Sequence, residues 1–165
     1  MKDTPCLGCR LAQQQLPVHV IYETEALCCI LDHDPFEEGH TLILPKQHVR
    51  ELEEMEPVLL QEILQTASLI SQALKQLLQP DGITVCQNGG IFSELEHYHM
   101  HVVPRYQGRS FQHFYDDTPL DNKKEKAALA ETALRMREAL ARIADRSTIG
   151  AHSTARFGEK LIQES

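Results

Sequence analysis

The sequence predicts an α+β domain built on an antiparallel sheet. Three observations carry that expectation: short apolar segments fill the first half, a long amphipathic stretch interrupts them, and a second amphipathic stretch follows the last apolar segment. The first segment, Val18 to Glu23, alternates weakly, and the second, Ala26 to Leu31, is an apolar run ending at Asp32. The third carries Leu42, Ile43 and Leu44 within His40 to Pro45. Between the last two, residues 32–39 are rich in turn formers and acids, which reads as a hairpin-like connection with polar ends at one edge of the sheet.

A long helix follows. Pro57 suits its first turn and Pro80 stops it, and Leu60, Ile63, Leu64, Ala67, Ile70, Leu74 and Leu77 give it one buried stripe at three-and-four spacing. Asp81-Gly82 turns into a strand at Ile83 to Cys86, then a loop at residues 87–90, then a strand from about His97 to Val103 that can pair with the preceding one. Residues 105–119 look irregular, with Phe111, Phe114 and Tyr115 able to cover an edge. A second helix is expected from Asp121, a good N-cap, to Asp145, with Leu129, Ala133, Met136, Leu140 and Ile143 on one face. No repeat or linker divides the chain. The expected organisation is one domain over 1–145, with a core near 6–105, a helical extension near 121–145 and a flexible tail over 146–165.

The chain's 165 residues with 42% hydrophobic content suffice for a core without disulfides or obligatory oligomerisation. A net charge of −8 provides no global basic field for non-specific binding to nucleic acid or anionic membrane, so neither is expected as a partner. No apolar run reaches the roughly 18 residues a bilayer span needs, and the first residues lack the apolar core of a secretory signal. The expected location is the cytoplasm. Of five cysteines, Cys28, Cys29 and Cys86 lie in apolar runs and read as core thiols. Cys6 and Cys9 form a Cys-X-X-Cys, which in a reducing compartment suggests zinc rather than a disulfide.

The most informative stretch is Glu96-His-Tyr-His-Met-His-Val-Val-Pro-Arg105. On a strand, alternate side chains share a face, so His97, His99 and His101 would stand roughly 6.5 to 7 Å apart along one surface. Three readings compete: a polar strand face, a catalytic zinc with three imidazole ligands, or separate roles in which one histidine holds a structural metal, one attacks a phosphate and one orients it. Two thiolates need two further ligands to close a tetrahedral site, and His48 and His97 are the candidates. If His97 closes it, the metal is structural and the chemistry belongs to imidazole.

His97-Tyr-His-Met-His-Val-Val103 resembles the signature of the histidine triad (HIT) family, and Gly39-His-Thr-Leu-Ile-Leu-Pro-Lys46 with His48 resembles the strand that precedes it there. The likeness spans roughly Cys6 to Arg105. It implies a sheet of about five antiparallel strands with a long helix, commonly a homodimer, acting on nucleoside phosphoramidates or dinucleoside polyphosphates. It also implies His99 as the nucleophile that forms a nucleotidyl-histidine intermediate, His101 and His40 as phosphate-facing partners, Asp32 as the ribose-binding acid and Asn88 as a phosphate-oxygen donor. In the branch with an N-terminal Cys-X-X-Cys, zinc is held by residues matching Cys6, Cys9, His48 and His97. A purine nucleotide or nucleotide conjugate is the implied substrate.

One departure stands out. Where many members place Gly-Gln and a hydroxyl residue ahead of the triad, this chain has Ile91-Phe-Ser-Glu-Leu-Glu96. Ser93 can still donate to a leaving group, while Glu94 adds negative charge near an anionic substrate. Beyond hydrolysis, a nucleotidyltransferase sharing the first half-reaction and a nucleotide-binding module with little turnover are the alternatives. Arg105 could reach a phosphate and Phe36 could pack on a base. Lys46 and Arg50 read as a solvated strand end, and His19, His33, His113 and His152 as surface residues.

Overall fold

The computed structural model describes residues 6–115 and 119–148. In chain order its elements are α1 (Leu7–Ala12), β1 (His19–Glu23), β2 (Leu27–Leu31), β3 (Thr41–Pro45), α2 (Pro57–Leu78), β4 (Gly82–Cys86), β5 (Met100–Arg105) and α3 (Lys123–Thr148). The five strands form one antiparallel sheet in the order β1-β2-β3-β5-β4, as the α+β expectation required.

β2 and β3 are buried along their whole length because both sheet faces are covered, which explains why they read as unbroken apolar runs. On one face Leu27, Cys29, Leu31, Ile43, Met100 and Val102 pack against Ile63, Ala67, Ile70 and Leu74 of α2 and against Met136 and Leu140 of α3. On the other, Cys28, Ile30, Leu42 and Leu44 meet Ala12 of α1. Burial pushes the Cys28 thiol up to about 12, so it is a protonated core residue. Pro57 opens α2, and Gln79 ends it in the left-handed region at φ 49° just before Pro80.

Four local expectations are corrected. Leu64 is 61% exposed, because the buried line of α2 runs through Ile63, Thr66, Ala67, Ile70, Ala73 and Leu74 and leaves position 64 about 100° away from Ile63. α3 begins at Lys123, where the Asn122 carbonyl accepts from Lys126 N at 2.9 Å, so Asp121 lies outside the cap, and the helix runs to Thr148. Residues 149–165, where most of the expected tail falls, lie outside the described residues. The six-residue α1 was not expected: it is too short for a periodic signal, and the Cys6 sulfur at its start faces Cys9 N at 3.5 Å.

The fourth correction bears on the site. β5 starts at Met100, not at His97, and Glu96 sits at φ 47° just before the histidines. The three imidazoles therefore do not form one row. Leu42 opposes His101 in the β3–β5 register and Cys86 opposes it in the β4–β5 register, so His101 stands on the Leu42 face of the sheet, away from α2. Among the described residues no helix is long and apolar enough to cross a membrane.

Candidate active site and metal centre

The protons on the three histidines are set by their neighbours. The Phe36 backbone N–H donates to His40 Nδ1 at 3.1 Å, so His40 carries its proton on Nε2. That nitrogen lies 3.0 Å from His101 Nδ1 and donates to it, which leaves His101 with its own N–H on Nε2. His99 Nδ1 lies 2.8 Å from the His97 carbonyl, which can only accept. His99 is therefore held with Nδ1 protonated and the Nε2 lone pair unblocked. The His99 and His101 rings meet edge to face at 4.8 Å between centroids.

Burial sets the electrostatics. His40 is pulled down to about 3 by desolvation and then by His99, against Asp34. His101 is pulled down to about 3 by desolvation, then by His40 and His99, against Asp32. Both are neutral near pH 7 and can act as hydrogen-bond donors without carrying charge. Asp32 closes one end of the group, with Oδ2 3.7 Å from His40 Nδ1. Its carboxyl is raised by burial, opposed by the Asp34 backbone N–H that donates to Oδ1 at 2.9 Å.

These residues line a cleft of about 390 Å³ that also takes in His33, Asp34, Phe36, Asn88, Glu94, His113, Phe114, Pro119 and Leu120. Of the residues singled out in the sequence, His40, His99, His101, Asp32 and Asn88 come together there. The loop bearing Asn88 is tied by Gly90 N, which donates to Glu51 Oε1 at 3.1 Å. Ser93 lies in an adjoining cavity of about 400 Å³ that shares Asn88, Glu94 and Phe114 with the cleft, and its buried Oγ has no hydrogen-bond partner among the described residues. Arg105 lies outside the cleft: its guanidinium donates to Thr84 Oγ1 at 3.0 Å and lies over the Phe111 ring at 3.9 Å. Lys46 is bound by Thr24 O and Glu23 at the end of β3.

The cleft also contains residues that the sequence reading left on the surface or did not assign to it. His113 is exposed, as its surface reading required, and lines the cleft at its rim, while Phe114 packs edge to face on His101 at 5.2 Å. Leu120 and Pro119 carry no chemical signature, and only the path of the chain brings them there.

The Cys-X-X-Cys forms a second cluster. Cys9 Sγ lies 3.2 Å from His48 Nδ1 and 3.5 Å from His97 Nδ1, and Cys6 Sγ lies 3.7 Å from His97 Nδ1. A tetrahedral zinc with ordinary Zn–S and Zn–N bonds has S···N edges of about 3.6 Å, so this donor set fits the ion. His97 Nε2 lies 2.9 Å from the Pro45 carbonyl and donates to it, which turns the Nδ1 lone pair toward the sulfurs. Burial and the neighbouring Cys6 hold the Cys9 thiol up, a penalty a bound dication would remove. His97 thus joins the two clusters: its ring faces the cysteines and its carbonyl orients His99.

A five-stranded antiparallel sheet with long helices on one face and His40, His99 and His101 at a cleft on the other is the arrangement of the histidine-triad class. The HIT domain matches residues 13–108, and the chain belongs to the HIT family. It is 33% identical over 105 residues to an uncharacterized HIT-like protein of Methanocaldococcus jannaschii, covering 62% of this chain and 81% of that one. It is 32% identical over 102 residues to an adenylylsulfatase of Arabidopsis thaliana, covering 61% of this chain and 52% of the relative. Among solved structures, a zinc-bound histidine triad family protein from Mycobacterium smegmatis superposes with a TM-score of 0.71 at 30% identity, covering 86% of this chain and 96% of that one. A hypothetical histidine triad nucleotide-binding protein from Sulfolobus tokodaii gives 0.69 at 26% identity, covering 84% and 93%.

Proposed function

We propose that the protein is a nucleotidyl hydrolase that cleaves nucleoside phosphoramidates or dinucleoside polyphosphates through a covalent nucleotidyl intermediate on His99. The observation that carries this reading is the bond from His99 Nδ1–H to the His97 carbonyl, which leaves Nε2 as the ring atom with a lone pair on a histidine that lines the cleft. In the first step His99 Nε2 attacks the α-phosphorus and the bond to the leaving group breaks, the leaving group taking up a proton from water. Water then attacks the same phosphorus and releases a proton to solvent, the P–N bond breaks, and free imidazole and a nucleoside monophosphate result.

His101 Nε2–H donates to a phosphate oxygen, and His40 holds that tautomer. Neutral donors suit this task because they stabilise the anionic phosphorus centre without a competing ion pair. Asp32 receives the ribose hydroxyls, Asn88 donates to a phosphate oxygen, and Ser93 donates to the leaving group with the hydroxyl that otherwise lacks a partner. Arg105 is left out of the phosphate site because Thr84 and Phe111 engage it. Cys6, Cys9, His48 and His97 would hold a structural zinc in this reading, and the His97 carbonyl orients His99. A purine base, a cytoplasmic location and a homodimer complete the proposal; the outer edge of β4, unpaired among the described residues, supports the last.

The test is a rapid-quench single turnover with a labelled nucleoside phosphoramidate. An acid-labile label on the protein, mapped to His99 and absent in His99→Gly, is expected. Turnover without protein-bound label contradicts the proposal. Glu94 at the cleft favours a second reading, a nucleotide-binding module with little turnover. Tight nucleotide binding with near-zero cleavage across both substrate classes selects it.

A further inference from the structure

The HIT match ends at residue 108, yet the chain beyond it is bonded to the loop that carries Asp32. Asn122 is 4% exposed, and its side-chain amide donates to Asp34 Oδ1 at 2.8 Å and to the Pro35 carbonyl at 2.9 Å. Lys126, one turn along α3, pairs with the same Asp34 carboxylate. Farther along the loop, Glu37 is paired with Arg109 and Glu38 accepts from Thr132 Oγ1 at 2.9 Å. Asp34, Pro35, Glu37 and Glu38 are thus held by Asn122, Lys126, Arg109 and Thr132.

We infer that Asn122 is a positioning residue for the nucleoside subsite, acting through Asp34 on Asp32, and that the chain beyond residue 108 is a working part of that subsite. The path is short. Asn122 fixes the Asp34 side chain and the Pro35 backbone on either side of one peptide unit, and the Asp34 N–H then fixes Asp32 Oδ1 at 2.9 Å. With Oδ1 held, the carboxylate keeps one orientation, Oδ2 lying 3.7 Å from His40 Nδ1 at the cleft that Asp32 lines, and a fixed carboxylate is what two adjacent sugar hydroxyls require. Phe114, Pro119 and Leu120 of the same extension line that cleft, so clamp and wall come from one stretch of chain. Asn122 donates both bonds to the loop and none to the apolar core, so its loss is felt first at Asp32 and only then in the packing of α3.

The inference rests on the ribose role proposed for Asp32, and it is tested by binding alone. Calorimetric titration with AMP and with 2′-deoxy-AMP reads the contribution of the sugar hydroxyl. The protein is expected to bind AMP roughly tenfold more tightly, as for a hydrogen bond to a charged group. In Asn122→Ala that ratio falls below about threefold, while affinity for 2′-deoxy-AMP stays within about twofold. Asp34→Ala, a change at a half-exposed side chain, gives the same collapse and serves if Asn122→Ala does not fold. In an Asp32→Asn background Asn122→Ala has no further effect on the ratio. An unchanged ratio in both variants, equal weakening toward both nucleotides, or no sugar preference in the unaltered protein overturns the inference. None of these outcomes touches the adduct on His99, which is judged separately by quenching.

Discussion

Replacing Gly8 by alanine tests the joint between α1 and the histidine segment. A Cβ at that position would lie 2.5 Å from His97 Cγ and 3.0 Å from Cδ2, well inside ordinary contact. His97 is fully buried and its ring is bonded to the Pro45 carbonyl, so it cannot swing aside. The helix must retreat instead, by on the order of 1 Å, whereas a zinc site tolerates ligand displacements of about 0.2 Å. The move carries Cys6 and Cys9 away from His97. Overpacking of this kind costs about 1–3 kcal/mol, which in a chain of this length is about 3–10 °C in Tm before any loss of metal. The assay is thermal unfolding together with metal analysis of the purified variant. A lowered Tm with zinc well below one per chain is expected. Unchanged Tm and full zinc would refute the close packing of α1 on His97 and the metal assignment built on it.

Other changes separate the remaining parts of the account. His40 and His101 titrate near 3 in the folded protein against 6.5 in the unfolded chain, so the stability their burial provides is complete above about pH 6.5 and declines as pH falls toward 3. Stability is therefore expected to be lower at pH 5 than at pH 7.5; urea unfolding at the two pH values measures it, and a His40→Gln/His101→Gln variant that keeps the full pH dependence argues against this source. Ser93→Ala removes a buried hydroxyl that has no partner, so Tm is expected to hold or rise slightly while kcat/KM falls roughly tenfold; a destabilised but fully active variant would reverse the assignment. Met136→Ala empties a fully buried position where α3 joins the main core and is expected to cost about 2–5 kcal/mol in urea unfolding. A cost below 1 kcal/mol there would mean that α3 is not packed as described.

The elements that were legible in the sequence are those whose burial imposes a period or a run. β2 and β3 are covered on both faces, and α2 on one, so Ala26 to Leu31, His40 to Pro45 and the Ile63, Ala67, Ile70, Leu74 line announce themselves. The residues that form the two polar clusters were legible as types, cysteine pairs and histidines at short spacing. Their division was not. Nothing in His97-Tyr-His-Met-His101 marks that the strand begins only at Met100; that depends on Tyr98 N donating to the Val49 carbonyl at 2.7 Å and on the His97 ring turning to Cys6 and Cys9. Phe114, Pro119 and Leu120 reach the cleft through a non-periodic segment, and Asn122 reads as an ordinary helix-start residue until its partners Asp34 and Pro35 are known. Arg105 shows the converse: its place at the end of β5 suggested a phosphate ligand, and Thr84 on the paired strand engages it.

The covalent route through His99 is tested most directly by the configuration at phosphorus. Two successive in-line displacements return the phosphorus to its starting configuration, whereas a single attack by water inverts it. Cleavage of a substrate made chiral at the α-phosphorus by sulfur substitution, in isotopically labelled water, distinguishes the two by phosphorus NMR of the product. Net retention is the result this account predicts. Net inversion contradicts it and transfers the chemistry from the His99 imidazole to a water molecule activated in the cleft.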